Sequence, residues 1–354
     1  METVEEGVGR EYGQMKRLFG GEEGDLRRKR PQVAAAEGSG FFSCLPDDLV
    51  VAILCRLSAS AARPSDLLGV LRACKRLNRL GLDPLVLSNA SVESLAIRAL
   101  KWSASAHRFL KRCADAGNLE ACYILGMIRF YCLGNRRSGL SLMARAAICS
   151  HMEALYSLAV IHFNGSGRSN SDKDLSAGVA LCARAASLGH KDAIRVLGHC
   201  LQDGYGVRRS AAKGRRFLLL ANARELAVVL STSSSSLPHC RRLCSLLRDF
   251  WCSTPAGAPH PANRFMVEWF AARGGVVVER EGLSLCSYGG CGRPETRRHE
   301  FRRCSACGVA SYCSRACQAV HWKLAHKAEC VPMERWLDLA AAVADGAPAA
   351  GGDL

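Results

Sequence analysis

The chain has 354 residues, of which 49% are hydrophobic, and it carries a formal net charge of +16 and 19 cysteines. This length supports two or three domains with buried cores and excludes a small disulfide-stapled scaffold. The acidic start of the chain and the lack of a long uncharged apolar run predict a protein that is neither secreted nor inserted in a membrane. We therefore expect it in the nucleus, the cytoplasm or both, with reduced cysteines.

The positive charge is spread along the chain, with denser runs at Arg27–Arg30 and Arg293–Arg303. No segment is typical of a base-reading helix, and aromatic residues are too few for a stacking platform, so we do not expect a nucleic acid partner. A solvated basic surface is the favoured interpretation of the charge. The first run is either a nuclear import signal or a charged tail.

Residues 1–40 lack hydrophobic periodicity and are rich in Gly, Glu and Arg, which predicts a disordered leader. A helical pattern then begins and predicts a small helical module over residues 41–90. Its first helix carries an apolar stripe. The residues that open this helix and lie on its stripe are Leu45, Pro46, Leu49 and Ile53.

A second helix restarts after a Pro-Ser-Asp break, with Ser65 or Asp66 as the expected cap. This pattern resembles an F-box, a helical bundle that docks on the Skp-type adaptor of a cullin-RING ubiquitin ligase. The resemblance implies that Leu45, Pro46, Leu49 and Ile53 contact the adaptor. An ordinary helical hairpin remains the alternative, because Leu-Pro followed by a helix is a common sequence.

Three segments that start at residues 113, 147 and 186 align without gaps over their core, with Ala114, Ala147 and Ala186 matched: CADAGNLEACYILG, AICSHMEALYSLAV and ASLGHKDAIRVLGH. They share Ala, a Gly or Ser, a second Ala and Leu at matching positions, and such periods indicate two-helix solenoid units. The segment 110–225 resembles the Sel-one-like repeats, which are related to tetratricopeptide repeats and serve as protein-interaction scaffolds. Generic Ala/Leu helices that align by composition are the alternative.

A Ser/Pro-rich linker with a short helix is predicted over residues 231–262. The helix is expected around 240–251, and a further helix around Arg264–Arg273. A short strand is predicted at 276–280.

Eight metal-ligand side chains follow within 45 residues, in four closely spaced pairs. Four N or S ligands complete one tetrahedral Zn²⁺ site, so this set predicts two structural zinc ions with no open coordination position. Chance clustering in a Cys-rich chain is disfavoured by the regular spacing. The ligands are Cys286, Cys291, Cys304, Cys307, Cys313, Cys317, His326 and Cys330.

The segment 286–330 closely resembles the MYND zinc finger, in which the two ions are bound in interleaved order. The resemblance therefore implies one site formed by Cys286, Cys291, Cys313 and Cys317, and a second formed by Cys304, Cys307, His326 and Cys330. Spacing alone also permits a sequential order. In that family a shallow groove binds Pro-rich peptides, which implies peptide contacts by Gln318 and Trp322; packing of Trp322 over the zinc core is the alternative.

Residues 331–354 are interpreted as a helix, from Met333 to Ala344, followed by a frayed tail. The other cysteines, such as Cys122, Cys182 and Cys200, lie in apolar helical contexts and are expected to be buried free thiols. His299 and His321 are not needed as ligands, so we expect them at the surface or beside a ligand.

No acid–base constellation, phosphate loop or nucleophile elbow is present in the sequence, so we do not expect an enzyme. A methyltransferase domain, which can accompany MYND fingers, is disfavoured by the helical, repetitive middle of the chain. We predict a mainly α protein that resembles a plant family of F-box proteins. The resemblance implies a substrate-recognition subunit of an SCF-type ubiquitin ligase that binds the adaptor and cullin assembly and a protein substrate. The alternative is a MYND and repeat scaffold or transcriptional co-regulator without ligase function.

Overall fold

The protein is described here by a computed structural model that covers residues 45–166, 173–233, 259–273 and 282–333. Several sequence predictions lie outside these residues: the leader at 1–40 with its basic run, the helix at 240–251, the strand at 276–280 and the helix and tail beyond Met333. Within them the chain is predominantly helical, so the predicted mainly α fold class is confirmed.

The first module is a bundle of short helices around a small apolar core. The core side chains include Val50, Leu54, Leu67 and Leu71, all of which are buried. An ion pair joins its first and third helices, because an Asp47 oxygen lies 2.6 Å from Nη2 of Arg76. The helices are α1 (Asp47–Ser60), α2 (Pro64–Ala73), α3 (Lys75–Gly81) and α4 (Pro84–Ser88).

The start of α2 differs from the prediction of a cap at Ser65 or Asp66. The helix begins at Pro64, whose fixed φ suits the first helical position. Asp66 therefore lies in the first turn, and its carboxylate accepts hydrogen bonds from the backbone N–H groups of Ala62 and Arg63, at 3.1 and 3.0 Å. The predicted cap is therefore wrong: Arg63 precedes the helix, and Asp66 is its third residue, with its carboxylate turned back to the preceding backbone.

Helical hairpins form the middle of the chain. A 3₁₀ turn at Ala99–Lys101 precedes them, and a π-helical turn at Ile128–Cys132 extends one helix. The helices are α5 (Ala104–Asp115), α6 (Leu119–Met127), α7 (Arg136–Ile148), α8 (Met152–Asn164), α9 (Leu175–Ser187), α10 (Lys191–Asp203) and α11 (Ala211–Ser233). α11 continues through Ser233, so the first three residues of the predicted Ser-rich break, 231–233, are helical.

Each hairpin turns at the position that the sequence alignment marks as Gly or Ser. Gly117, Ser150 and Gly189 have φ values of 92°, 63° and 98°, in the left-handed region that favours glycine. The residue after each turn caps the second helix: Asn118 through its side-chain oxygen and His151 through Nδ1. The repeat is therefore encoded in turn chemistry as well as in its apolar positions.

The next described helix, α12 (Pro261–Ala272), packs against the first hairpin. The rings of Trp102 and Phe265 meet edge to face at 5.2 Å, and Glu268 pairs with Arg98 at 2.9 Å. His260, which caps α12, lies 3.2 Å from Glu120 on α6. Within the described chain, no helix is both long and apolar enough to cross a membrane.

The expected burial of free cysteines is correct for Cys122, Cys182 and Cys200. It is wrong for Cys74 and Cys149, which are exposed. Both lie at helix ends rather than on an apolar face, and the Cys74 sulfur accepts the N–H of Leu77 at the start of α3, at 3.4 Å.

The C-terminal finger combines a two-residue hairpin with short helices. Strands β1 (Arg302–Arg303) and β2 (Ser311–Tyr312) pair antiparallel, and Leu285 forms an isolated bridge with Pro294. The helical part consists of α13 (Arg315–His321), a π-helical turn (Trp322–His326) and α14 (Lys327–Glu329).

Candidate metal centres and their contact with the repeats

The first cluster of ligand side chains lies where the finger meets the repeats. It consists of Cys286, Cys291, Cys313 and Cys317, all buried, with their sulfur atoms within 4.8 Å of one another. The Cys313 sulfur lies 3.5 Å from the sulfurs of both Cys291 and Cys317.

The second cluster lies closer to the surface. It consists of Cys304, Cys307, His326 and the half-buried Cys330. The Cys304 and Cys330 sulfurs are 4.0 Å apart, and the Cys307 sulfur lies 3.6 Å from Nε2 of His326. The grouping is the interleaved one that the MYND resemblance implies, not the sequential one.

Both clusters fit zinc. A tetrahedral site with Zn–S bonds of about 2.3 Å has sulfur–sulfur edges of about 3.8 Å. The observed sulfur–sulfur separations of 3.5 and 4.0 Å bracket that edge. The finger therefore has two ligand clusters that could hold two zinc ions, each with four protein ligands and no coordination position left open for substrate.

Local backbone structure places the ligands. The N–H of Cys286 donates to the carbonyl of Arg293 at 2.9 Å, so the first pair of cysteines closes a loop. The N–H of Cys304 donates to the carbonyl of Ala310 at 2.8 Å, at the base of the β1–β2 hairpin. Ser314 caps α13 by accepting the N–H of Cys317 at 3.2 Å. Short loops and a helix start thus present pairs of thiols from opposite sides.

The thiols of the first cluster interact strongly with one another. Hydrogen bonds from neighbouring cysteines hold the pKa of Cys291 well below its usual value. Bonds within the same cluster raise the pKa of Cys286 and Cys317 well above theirs. A cluster that already favours a thiolate is suited to metal binding, because the thiolate is the ligand form.

Arg293 is a residue that the sequence analysis missed. It was included in a run interpreted as solvated surface, but only 3% of it is exposed, so that interpretation is wrong for this residue. Its Nη1 lies 3.8 and 3.9 Å from the sulfurs of Cys291 and Cys313, and its Nη2 donates to Oγ of Ser157 on α8 at 2.8 Å. Burial lowers the pKa of Arg293, but its electrostatic interactions with Cys291, Cys313, Tyr131 and Tyr123 outweigh burial and hold the pKa well above its usual value.

Other finger residues that contact the repeats follow Arg293 in the chain. Arg297 donates to the carbonyls of Asn164 and Gly165, both at 2.6 Å, at the end of α8. Glu300 accepts a hydrogen bond from Ser166, and its other oxygen accepts the N–H of Thr296 at 2.6 Å.

Further contacts extend this interface along the second helices of the hairpins. Tyr156 donates to Oγ of Ser314 at 3.1 Å. Arg315 pairs with Asp203 at 2.5 Å, at the end of α10. The finger is therefore seated on α8 and α10 by buried hydrogen bonds and by charge pairs at the rim.

The residues implied in peptide and adaptor binding are separate from the clusters. Gln318 is half-buried on α13. Trp322 is 39% exposed, and its ring meets that of His326 edge to face with the ring centroids 5.8 Å apart. Leu49 and Ile53 are 50% and 43% exposed on α1, although both are apolar.

Neither of the two histidines that the sequence analysis excluded as ligands belongs to a described metal cluster. His299 is exposed, with φ of 60°. His321 stacks on the ring of His326 at 5.4 Å, and its Nδ1 lies 3.0 Å from the hydroxyl of Tyr312. A cavity of about 310 Å³ beside the second cluster is lined by His321, Val309, Ala310 and Val331 among others.

Two known protein families match parts of this chain. The family described as plant tetratrico peptide repeats matches residues 94–176, and the MYND finger family matches residues 286–330. A Sel1 repeat protein from Oxalobacter formigenes shares 23% identity, covering 32% of this chain and 86% of its own, with a TM-score of 0.30.

Two relatives from Arabidopsis thaliana extend over most of the chain. F-box protein At1g67340 is 60% identical over 316 residues, which are 85% of this chain and 83% of the relative. F-box protein At5g50450 is 57% identical over 309 residues, which are 87% of this chain and 90% of the relative. The chain therefore belongs to the family of these F-box proteins.

Proposed function

We propose that the protein is a substrate-recognition subunit of an SCF-type ubiquitin ligase, in which the module at 41–90 is an F-box that binds the Skp-type adaptor. The observation that carries this proposal is the high identity to proteins named F-box proteins over more than four-fifths of the chain. Ubiquitin transfer belongs to partner proteins. The repeats and the MYND finger supply protein-interaction surfaces and no enzymatic domain.

An apolar stripe on α1 supports adaptor binding. Leu49 and Ile53 expose about half of their surfaces one helical turn apart, and Pro46 is exposed at the start of the same helix. Val50 and Leu54 face the core instead, so the helix is apolar on two sides. A surface helix of a monomeric protein needs only one apolar face, which packs on the core. A second apolar face that is exposed is typical of a surface that binds a partner. Leu45 completes the proposed contact at the helix entrance.

The adaptor test compares two surface changes of the same kind. Ile53→Asp in the full chain should abolish co-purification of the Skp-type adaptor, because a carboxylate would be buried in the interface. Leu219→Asp on α11 is the matched control, since Leu219 is 68% exposed and lies outside the module. Retained adaptor binding in Ile53→Asp, or no adaptor binding by the wild-type chain, would favour the scaffold or co-regulator function without ligase activity.

For the target, we propose that the finger binds an extended Pro-rich peptide through Gln318 and Trp322. The repeats offer less free surface on their second helices, since the finger covers the ends of α8 and α10. Trp322 keeps 39% of its surface exposed beside Leu324, which is 71% exposed. An exposed indole offers a flat apolar face on which proline can stack, and a glutamine can pair with an extended backbone.

The peptide test uses an array of proline-rich peptides with the full chain. Trp322→Ala and Gln318→Ala should lose binding while they retain zinc and their unfolding temperature, and Lys327→Ala, on exposed α14, should bind normally. Loss of zinc or of the folded state in Trp322→Ala would make this residue structural. Failure of the wild-type finger to bind any peptide would assign target recognition to the repeats.

A further inference from the structure

Arg293 is a buried charge that needs a compensating charge. A guanidinium is costly to remove from water unless it is paired. Among the residues that the structure describes, its side chain lies against the thiols of Cys291 and Cys313 and against the hydroxyl of Ser157, and its Nε has no hydrogen-bond partner. No carboxylate forms a hydrogen bond or ion pair with it among these residues. The half-buried carboxylates of Glu153 and Asp192 act on it through space without contact, so the thiol cluster is the source of negative charge that its guanidinium touches.

The first cluster has a charge of the opposite sign to compensate once it binds metal. Metal binding converts cysteine thiols to thiolates. Four thiolates around one Zn²⁺ leave two net negative charges, whereas three thiolates and a neutral imidazole leave one. All four ligands of the first cluster are buried, but Cys330 of the second is only half-buried. The larger net charge therefore lies in the less solvated site, where an unpaired charge is most costly.

We propose that Arg293 is a positioning residue that compensates the metal-loaded first cluster and joins it to the repeats through Ser157. Its guanidinium reaches both sides of the interface: one nitrogen faces the sulfurs and another donates to the hydroxyl on α8. Metal binding at this cluster and docking of the finger on the repeats then stabilise each other, since thermodynamic linkage is reciprocal. The second cluster has no buried arginine against its sulfurs within the described residues and is not coupled in this way.

This inference is independent of any ligase function, because it concerns only the finger and the repeats of this chain. It predicts that the two metals leave at different rates. The first cluster should retain zinc under chelation longer than the second. Partners that orient metal ligands typically contribute about 10–100-fold in metal affinity, and we expect the effect of Arg293 in this range.

The experiment follows zinc release from the purified full chain into a colorimetric chelator. Wild type should release zinc in a fast and a slow phase, and Cys330→Ser, which disrupts the second cluster, should lack the fast phase. Arg293→Met, which keeps much of the side-chain length without the charge, should accelerate the slow phase at least about tenfold. Arg293→Lys should fall between, because lysine keeps the charge but lacks the planar fork that reaches both partners.

Two further variants separate this role from general charge loss. Arg303→Met removes the same charge from an exposed position next to Cys304, and its slow phase should be unchanged. Ser157→Ala removes the acceptor on the repeats without touching a ligand, and its slow phase should accelerate by a smaller factor. Equal acceleration in Arg303→Met and Arg293→Met would overturn the proposal, as would an unchanged slow phase in Arg293→Met.

Docking is measured separately by hydrogen exchange of the backbone amides in residues 161–166 and 295–297, which face each other across the interface. Arg293→Met and chelation of wild type should both raise exchange in these segments, and Arg303→Met should not. If Arg293→Met is obtained without its first zinc, Arg293→Lys and Ser157→Ala decide. If both of these variants release zinc and exchange amide hydrogens at wild-type rates, Arg293 only fills space in the interface.

Discussion

Nε2 of His151 lies 3.0 Å from a carboxylate oxygen of Glu120, one repeat earlier in the chain. The same relationship recurs one repeat later, where Nε2 of His190 lies 3.1 Å from Glu153. In both histidines Nδ1 accepts a backbone N–H at the start of its own helix. Each imidazole therefore caps one helix and contacts the previous repeat, which fixes the spacing of consecutive hairpins.

These contacts make the stability of the repeats depend on pH through Glu120. Burial raises the pKa of Glu120, but the imidazoles of His151 and His260 outweigh burial and bring it to about 2, below its ordinary value of 4.5. A carboxylate whose pKa is lower in the folded state contributes stability above pH 4.5 and loses it as the pH falls toward 2.

The prediction is tested with Glu120→Gln. At about pH 6 the variant should unfold with a free energy lower by on the order of 1–2 kcal/mol, allowing for solvent screening of a half-buried carboxylate. This difference from wild type should shrink as the pH falls from about 4.5 to about 2. Denaturant titrations at several pH values measure it, and acid loss of metal cancels because both proteins share it. The exposed Glu93→Gln should show no difference; a constant deficit in Glu120→Gln at all pH values would contradict the assignment.

The left-handed turn residues give a second prediction. A Cβ on Gly117 would meet nothing within 4 Å, so only the backbone strain of its φ of 92° opposes a side chain. Gly117→Ala should therefore lower the free energy of unfolding by about 1 kcal/mol, and Ser150→Gly should raise it by up to about 1 kcal/mol. Thermal unfolding of the two variants measures opposite shifts, and shifts of the same sign would show that strain at these turns is not the deciding effect.

A third prediction concerns the close approach of α6 and α7. A Cβ on Gly139 would lie 2.7 Å from the carbonyl oxygen of Gly126 and 2.7 Å from the backbone nitrogen of Phe130. Backbone atoms cannot move aside cheaply, so Gly139→Ala should cost about 1–3 kcal/mol of stability. Gly69→Ala, at an exposed position of α2, is the matched control, because its Cβ would meet nothing within 4 Å. The control should be neutral or slightly stabilising, since alanine favours helix.

Local patterns were sufficient to predict the repeats and the ligand set. The turn positions Gly117, Ser150 and Gly189 stand out because each hairpin needs one left-handed residue at the same step. The ligand pairs stand out because two thiols must lie within one short loop or helical turn to share an ion. Both signals involve residues close together in the chain.

The seating of the finger on the repeats could not be predicted in this way. Arg293 and Ser157 are separated by 136 positions, and an arginine between other basic residues is usually solvated. Likewise, Glu300 is buried against Ser166, although nothing in its local sequence distinguishes it from a surface carboxylate. Long-range contacts of polar side chains leave no periodicity in the sequence.

The last prediction compares the loss of one ligand from each metal cluster. Cys304→Ser and Cys313→Ser should each lower the zinc content measured by elemental analysis, because each removes one ligand from a different cluster. The repeats have their own buried core, so the helical signal in circular dichroism should persist in both variants. The two should differ in stability.

Cys313 lies at the interface with the repeats, where its carbonyl accepts a hydrogen bond from Nδ2 of Asn164 at 3.0 Å. Structural zinc contributes on the order of 10 kcal/mol to the folding of small fingers, so either serine variant should unfold part of the finger. Cys313→Ser should also release the finger from α8 and make residues 286–330 sensitive to protease, whereas Cys304→Ser should leave the docked half of the finger protected. Equal protease sensitivity in the two variants would mean that the finger folds and docks as one unit around both metals.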